Sequence, residues 1–182
     1  MHQNSKIIRS RKSVFPKYFN GKEITENVIH EILENANYAP THRMTQPWFF
    51  KVFSGRSKHI LLNEILNNKK INFNELAKEK LTNNFNLTSH IICICMKRNR
   101  ILPEWEEIAA TSMSVQNIWL SCVNRNIGGY WSTPLYIEYL KAFLNLKEDE
   151  RFLGFFYLGC YDTLNERNVQ RNNYKEKLEF FN

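Results

Sequence analysis

Six consecutive apolar residues, Ile91-Ile92-Cys93-Ile94-Cys95-Met96, constrain this chain more than any other stretch. Ser89 stands before them and Lys97 after them. The run is short for a buried helix and too apolar for a strand with one wet face. It predicts a strand over 89–97 at the centre of a sheet covered on both sides. A second run, Phe152-Leu153-Gly154-Phe155-Phe156-Tyr157-Leu158-Gly159, predicts another strand of this kind. A third, Trp48 to Phe53, reads as a buried strand from its aromatic and β-branched residues.

Helical patterns surround these strands. Val28, Ile32, Leu33 and Ala36 share one face of a helix over about 26–38, with Thr25 as its expected N-cap. Pro103 opens a long helix, about Glu104 to Asn126. Its apolar residues (Ile108, Ala109, Met113, Val115, Ile118, Trp119, Cys122, Val123) cover more than one stripe, as in a core or a subunit interface. Gly128-Gly129 is expected to end it. Further helices are predicted over 6–14, 57–69 and 137–144. Residues 70–88, rich in Asn and Lys, give the weakest signal and read as a helix or a partly mobile cover. The polar tail ends in Leu178-Glu179-Phe180-Phe181, an apolar tip that suggests docking on another surface. The order of elements fits a single domain over 1–182 of α+β or α/β type, with three layers and a small sheet.

Composition narrows the partners. The net charge is +7, but Lys and Arg are scattered, so most of the charge reads as solvated surface, with a few residues held for an anion. No helix-turn-helix or RNA-binding aromatic motif accompanies it, and nucleic acid is not expected. No apolar run would span a bilayer, and the polar N-terminus lacks the apolar centre of a signal peptide, so a cytoplasmic location is expected. The cysteines, Cys93, Cys95, Cys122 and Cys160, lack Cys-x-x-Cys spacing and read as buried free thiols rather than metal ligands.

Three stretches could carry chemistry. Pro40 and Pro47 bracket a polar corner with His42, Arg43 and Gln46. Gln46 and Trp48 read there as structural residues. Arg11-Lys12-Ser13 reads either as a helix end with a favourable charge or as an anion clamp. Gly128-Gly129-Tyr130-Trp131-Ser132-Thr133 reads as a helix stop whose glycines also let backbone approach a flat ring. No Ser-His-Asp arrangement and no pair of carboxylates at a telling spacing is present, so no protein group is assigned as catalytic.

These segments, Arg11-Lys12-Ser13, Ala39-Pro40-Thr41-His42 with Pro47-Trp48, Gly128 to Trp131 and Leu158-Gly159, occur in this order from about Ile8 to the C-terminus. In that respect the chain resembles the nitroreductase family of FMN proteins, and most nearly its short members. The resemblance implies a three-layer sandwich, a small mixed sheet flanked by helices, built as an intertwined homodimer with FMN at the interface. It implies FMN contacts from Arg11, Lys12, Ser13, Trp131, Ser132 and Thr133, with Tyr38 and His42 reaching the FMN of the other subunit. It implies that Ser121, Cys122, Val123, Asn124, Arg125 and Asn126 receive the nicotinamide nucleotide. The implied activity is hydride transfer from NAD(P)H through flavin to a nitroarene, a quinone or a similar electron-poor acceptor. The chain departs from the family where Val14 and Phe15 follow Ser13 in place of a further basic residue, and at Tyr38 and Met44. Two other classes remain open on the residues alone: a flavin-binding module with little turnover, and a basic nucleic-acid-associated domain.

Overall fold

A computed structural model describes residues 2–163 and 170–181. The apolar run becomes β2 (His90–Lys97), in which Ile91 to Met96 are all buried. With β1 (Trp48–Ser54), β3 (Ile127–Ser132) and β4 (Glu150–Cys160) it forms one sheet in the order β1-β2-β4-β3. Every neighbouring pair is antiparallel. The parallel component of the expected mixed sheet is one isolated bridge, Ser13 to Gly129.

The described residues form α1 (Gln3–Ser10), which buries no residue, and α2 (Glu26–Asn37), α3 (Gly55–Asn67), α4 (Glu75–Leu87) and α5 (Glu104–Ser121), which cover the sheet. On one face Leu61 and Ile65 of α3 and Phe85 of α4 pack on Ile91, Cys93, Cys95, Phe155 and Tyr157. On the other, Ile32 and Ala36 of α2 and Val115 and Ile118 of α5 pack on Ile92, Ile94, Phe156 and Leu158. Alternate residues of β2 thus feed two cores, and each buried Ile contributes roughly 1.5–3 kcal/mol. The stretch 70–88 resolves as α4, with Asn74 accepting from the Ala77 amide as N-cap.

Several expectations are corrected. β1 is an edge strand, and of its residues only Trp48 is buried. Thr25 occupies the N-cap position of α2 but makes no side-chain capping bond. The segment after Pro134 is a 3-10 turn, Leu135–Leu140, rather than an α-helix. α5 stops at Ser121, and Asn124 and Asn126 take left-handed φ of 63° and 54°. Asparagine tolerates that region through local hydrogen bonding. Gly128 and Gly129, the expected stop, lie inside β3 instead, where they allow close packing. A Cβ on Gly129 would stand 2.3 Å from Cζ of Phe156.

α5 also buries polar residues beside its apolar ones. Its inward residues include Glu107, Thr111 and Ser114, all fully buried. Thr111 donates to the Glu107 carbonyl at 2.9 Å and Ser114 to the Thr111 carbonyl at 2.7 Å. The Glu107 carboxylate accepts from the Asn99 amide at 2.7 Å and lies 3.0 Å from the Arg98 guanidinium. Its outward residues include Trp105, Ile108 and Met113. Trp119, which the pattern allows in a core or an interface, is half-buried, as is Leu120, so the exposed apolar surface of α5 comes from other residues. Phe180 and Phe181 are 83% and 87% exposed, as the tail pattern suggested.

Candidate functional site

The basic segment leaves α1 at Arg11 and runs beside β3. Ser13 bridges Gly129, and the Val14 amide donates to the Gly129 carbonyl at 3.0 Å. That oxygen also accepts from Trp119 Nε1 at 2.8 Å. The Trp119 ring packs edge-on against Phe156 and carries the Arg11 guanidinium 5.1 Å from its centroid. Arg11 Nη1 reaches Ser13 Oγ at 3.4 Å. Among the described residues no carboxylate is ion-paired with Arg11. Burial, and then the neighbouring charge of Arg171, push its guanidinium below the ordinary value. It stays cationic, because guanidinium does not lose its proton in proteins. Arg171 adds its charge to this cluster. Lys12 and Ser13 are exposed beside it. A half-buried cation next to a second cation and a hydroxyl, with no counterion among the described residues, suits an anionic ligand.

At the end of β3, Trp131 and Ser132 are half-buried, and Thr133 just beyond it is exposed. The Trp131 indole donates to the Leu153 carbonyl at 3.2 Å. Gly154, with φ of 127°, lies against them: a Cβ there would stand 2.5 Å from the Ser132 carbonyl oxygen. The flat ring that Gly129 approaches is Phe156 of the protein itself.

His42 sits elsewhere. Pro40 and Pro47 bracket a turn in which Arg43, Met44 and Gln46 have φ of 50°, 53° and 43°. The Gln46 amide donates to Thr41 Oγ1 at 3.2 Å, and the buried Trp48 packs on Ala39 and Ala110. Both keep the structural roles read from the sequence. His42 Nδ1 donates to Glu106 Oε2 at 2.7 Å, which turns Nε2 away from the carboxylate. Tyr38, at the end of α2, is exposed. Glu106 and Trp119 lie 13 residues apart on α5, about 20 Å along its axis. Within one chain Arg11 and His42 are therefore not brought together. An open depression of about 660 Å³ near the His42 turn is lined by His30, Leu33, Glu34, Asn37, Gln46, Trp48 and Phe50, and does not reach Arg11.

The segment Ser121–Asn126 is latched to α2. Asn35 donates to Ser121 Oγ at 3.0 Å, and Arg125 makes a two-pronged ion pair with Glu31. That bond holds the Glu31 carboxyl below its usual range. Cys122 is buried, Val123 is half-buried, and Asn124 to Asn126 are exposed. Burial pushes the Cys122 thiol up to about 12, so it is no nucleophile.

Sequence reasoning missed Glu106 as the partner of His42 and Trp119 as the platform under Arg11. Each contact spans a separation that no local pattern encodes. Among the described residues, no group of three or more His, Cys, Asp or Glu could hold a metal ion. Among the same residues, no helix is long and apolar enough to cross a membrane.

The family model described as Nitroreductase family matches residues 8–160. YfhC of Bacillus subtilis (strain 168), assigned by name to the NAD(P)H nitroreductases, is 31% identical over 91% of this chain and 90% of its own length. A crystal structure of a nitroreductase-like family protein from Bacillus cereus superposes with a TM-score of 0.85. Its identity is 26%, and the match covers 100% of this chain and 97% of that one. The FMN-dependent nitroreductase NfnB from Mycobacterium smegmatis, solved in complex with NADPH, shares the fold at a TM-score of 0.75. It is 17% identical, with 98% of each chain covered.

Proposed function

Because the chain belongs to the nitroreductase family, we propose that it is an FMN-dependent NAD(P)H oxidoreductase, one FMN-binding domain over 1–182 working as an intertwined homodimer. The observation that carries this reading is the Arg11 guanidinium, held on Trp119 beside Arg171 and ion-paired with no carboxylate among the described residues. Its donor set fits the FMN phosphate. Arg11 and Lys12 supply charge and Ser13 supplies a hydroxyl. Trp131, Ser132 and Thr133, at the end of β3, flank the ring system. Bound FMN supplies the redox chemistry, taking hydride from NAD(P)H and passing electrons to an acceptor such as a nitroarene or quinone.

The remaining residues follow from the 20 Å gap. His42, tied to Glu106, lies about 20 Å along α5 from the Trp119 that carries Arg11, so it serves the partner's FMN, and the exposed Tyr38 is assigned to that same FMN by the family resemblance. Glu106 holds the His42 ring with Nε2 free to meet a ligand. The exposed apolar stripe Trp105, Ile108 and Met113, together with Phe180 and Phe181, supplies the surface such a dimer buries. Ser121 to Asn126, held against α2, form the rim that receives the nicotinamide nucleotide.

The visible absorption spectrum of the purified protein, followed by anaerobic addition of NADH or NADPH, tests the activity. A flavin spectrum bleached by either donor is expected, and a colourless protein would refute the reading. Arg11→Ala removes a charge-assisted bond worth roughly 1.5–3 kcal/mol, so FMN affinity should fall about tenfold or more. Deleting 174–182 should weaken both dimerisation and FMN retention by light scattering and flavin content. A stable monomer with FMN fully bound would sink the shared site.

A further inference from the structure

We propose that Trp119 is a positioning residue for the phosphate clamp, holding the Arg11 guanidinium on its ring and fixing the backbone beside it through its indole N–H. The inference rests on the reading of Arg11 as a ligand of the FMN phosphate.

Three segments distant in sequence meet at one oxygen. The Gly129 carbonyl accepts from the Val14 amide at 3.0 Å and from Trp119 Nε1 at 2.8 Å. Val14 follows the basic segment directly, so the indole helps fix where that segment leaves Arg11. The guanidinium carbon lies 5.1 Å from the ring centroid, within the range of a cation–π contact. The ring is fixed from behind by Phe156, at 5.1 Å and 74°. A Cβ on Gly129 would stand 2.3 Å from Phe156 Cζ and 3.2 Å from Trp119 Cδ1, so glycine lets these groups close together. A long flexible arginine loses rotamer freedom when it ligates an anion, and a ring that holds it beforehand lowers that loss. A tryptophan that only filled space would be indifferent to the charge of the ligand.

The test uses that difference. Apoprotein is titrated with FMN and with riboflavin, which has the same ring system and no phosphate. Wild type, Trp119→Leu, Trp119→Phe, Arg11→Ala and the Arg11→Ala/Trp119→Leu double variant are compared. Trp119→Leu should weaken FMN by about two- to thirtyfold and leave riboflavin unchanged. Trp119→Phe, which keeps a ring but loses the N–H, should fall between. In the Arg11→Ala background the Trp119→Leu change should have no further effect on FMN. Equal weakening of FMN and riboflavin overturns the inference, because that is the mark of packing alone. So does an undiminished FMN loss in the Arg11→Ala background. If Trp119→Leu does not fold, the FMN-to-riboflavin ratio of Trp119→Phe decides, with riboflavin binding as the control for an intact site. If Arg11→Ala leaves that ratio untouched, the phosphate reading itself fails. If Arg11→Ala lowers it and the Trp119 variants do not, only the role of Trp119 fails.

Discussion

Around Arg11, an amide, an indole and a bridging strand converge on the Gly129 carbonyl, and no residue of the cluster has a strained backbone. Around His42, three non-glycine residues adopt left-handed φ, and the imidazole is tied by one carboxylate. A left-handed residue costs roughly 1–2 kcal/mol, so the turn carries strain that its surroundings must offset. The first region is finished within the chain. The second is held in a costly shape with its ring still free on one side. The rigid half suits a ligand part that never varies, such as a phosphate. The strained half suits contacts completed by a partner or by varied acceptors.

The largest expected effect is at the rigid end. Gly129→Ala drives a Cβ to 2.3 Å from Phe156. Overpacking of this kind costs about 1–3 kcal/mol, and it displaces Trp119 as well. Thermal unfolding should shift down by several degrees and the protein should purify without flavin. An unchanged melting temperature would remove the contrast between the two ends. Next, Met44→Gly at the strained end relieves about 1 kcal/mol of left-handed cost against a similar entropic penalty. Stability should stay within about 1 kcal/mol of wild type or rise, measured by denaturant unfolding. A clear loss would show that the turn is not strained. Glu106→Gln removes the partner of a mostly exposed His, where ion pairs contribute about 0–1 kcal/mol. Stability should barely move, while turnover with a bulky acceptor changes more than FMN affinity does. Equal changes in both would place His42 with the phosphate end.

The smallest effect concerns acid. Arg125 holds the Glu31 carboxyl below its usual range, first by hydrogen bonding. A depressed carboxylate contributes stability that is present above its unfolded pKa of about 4.3 and lost as pH falls through the folded value. Glu31→Gln should therefore lower stability slightly at pH 7 and flatten the acid limb, so that variant and wild type converge as pH falls below about 4.3. An acid limb identical to wild type would show that the latch between α2 and α5 does not hold in solution.

Much of the fold was legible because its strongest signals are local. The run 91–96 could only be a doubly covered strand, and Pro103 marked the start of α5. What was not legible depends on neighbours. Gly128-Gly129 looked like a helix stop, but Asn124 and Asn126 end the helical path, and the glycines serve the packing of Phe156 and Val14. β1 looked buried because its residues are apolar, yet its place at the edge is set by strand order. The basic segment and the β3 end were marked in sequence, and the structure joins them through Gly129. Trp119 was read as interface, because nothing local reveals that its N–H finds a carbonyl 10 residues later. Nor does anything near Glu106 point to a histidine 64 residues before it.

The strand order has a consequence during synthesis. β4 is the last strand made, yet it lies between β2 and β3. Its final residue, Cys160, follows the end of β2 by 63 residues. At about 5–20 residues per second, the ribosome takes roughly 3–13 seconds to cover that interval. Throughout it, the most apolar strand of the molecule can pair only with β1, leaving its other edge open. An unpaired edge of this kind is a template for pairing with another chain, and any chain cut short before β4 leaves it unpaired for good.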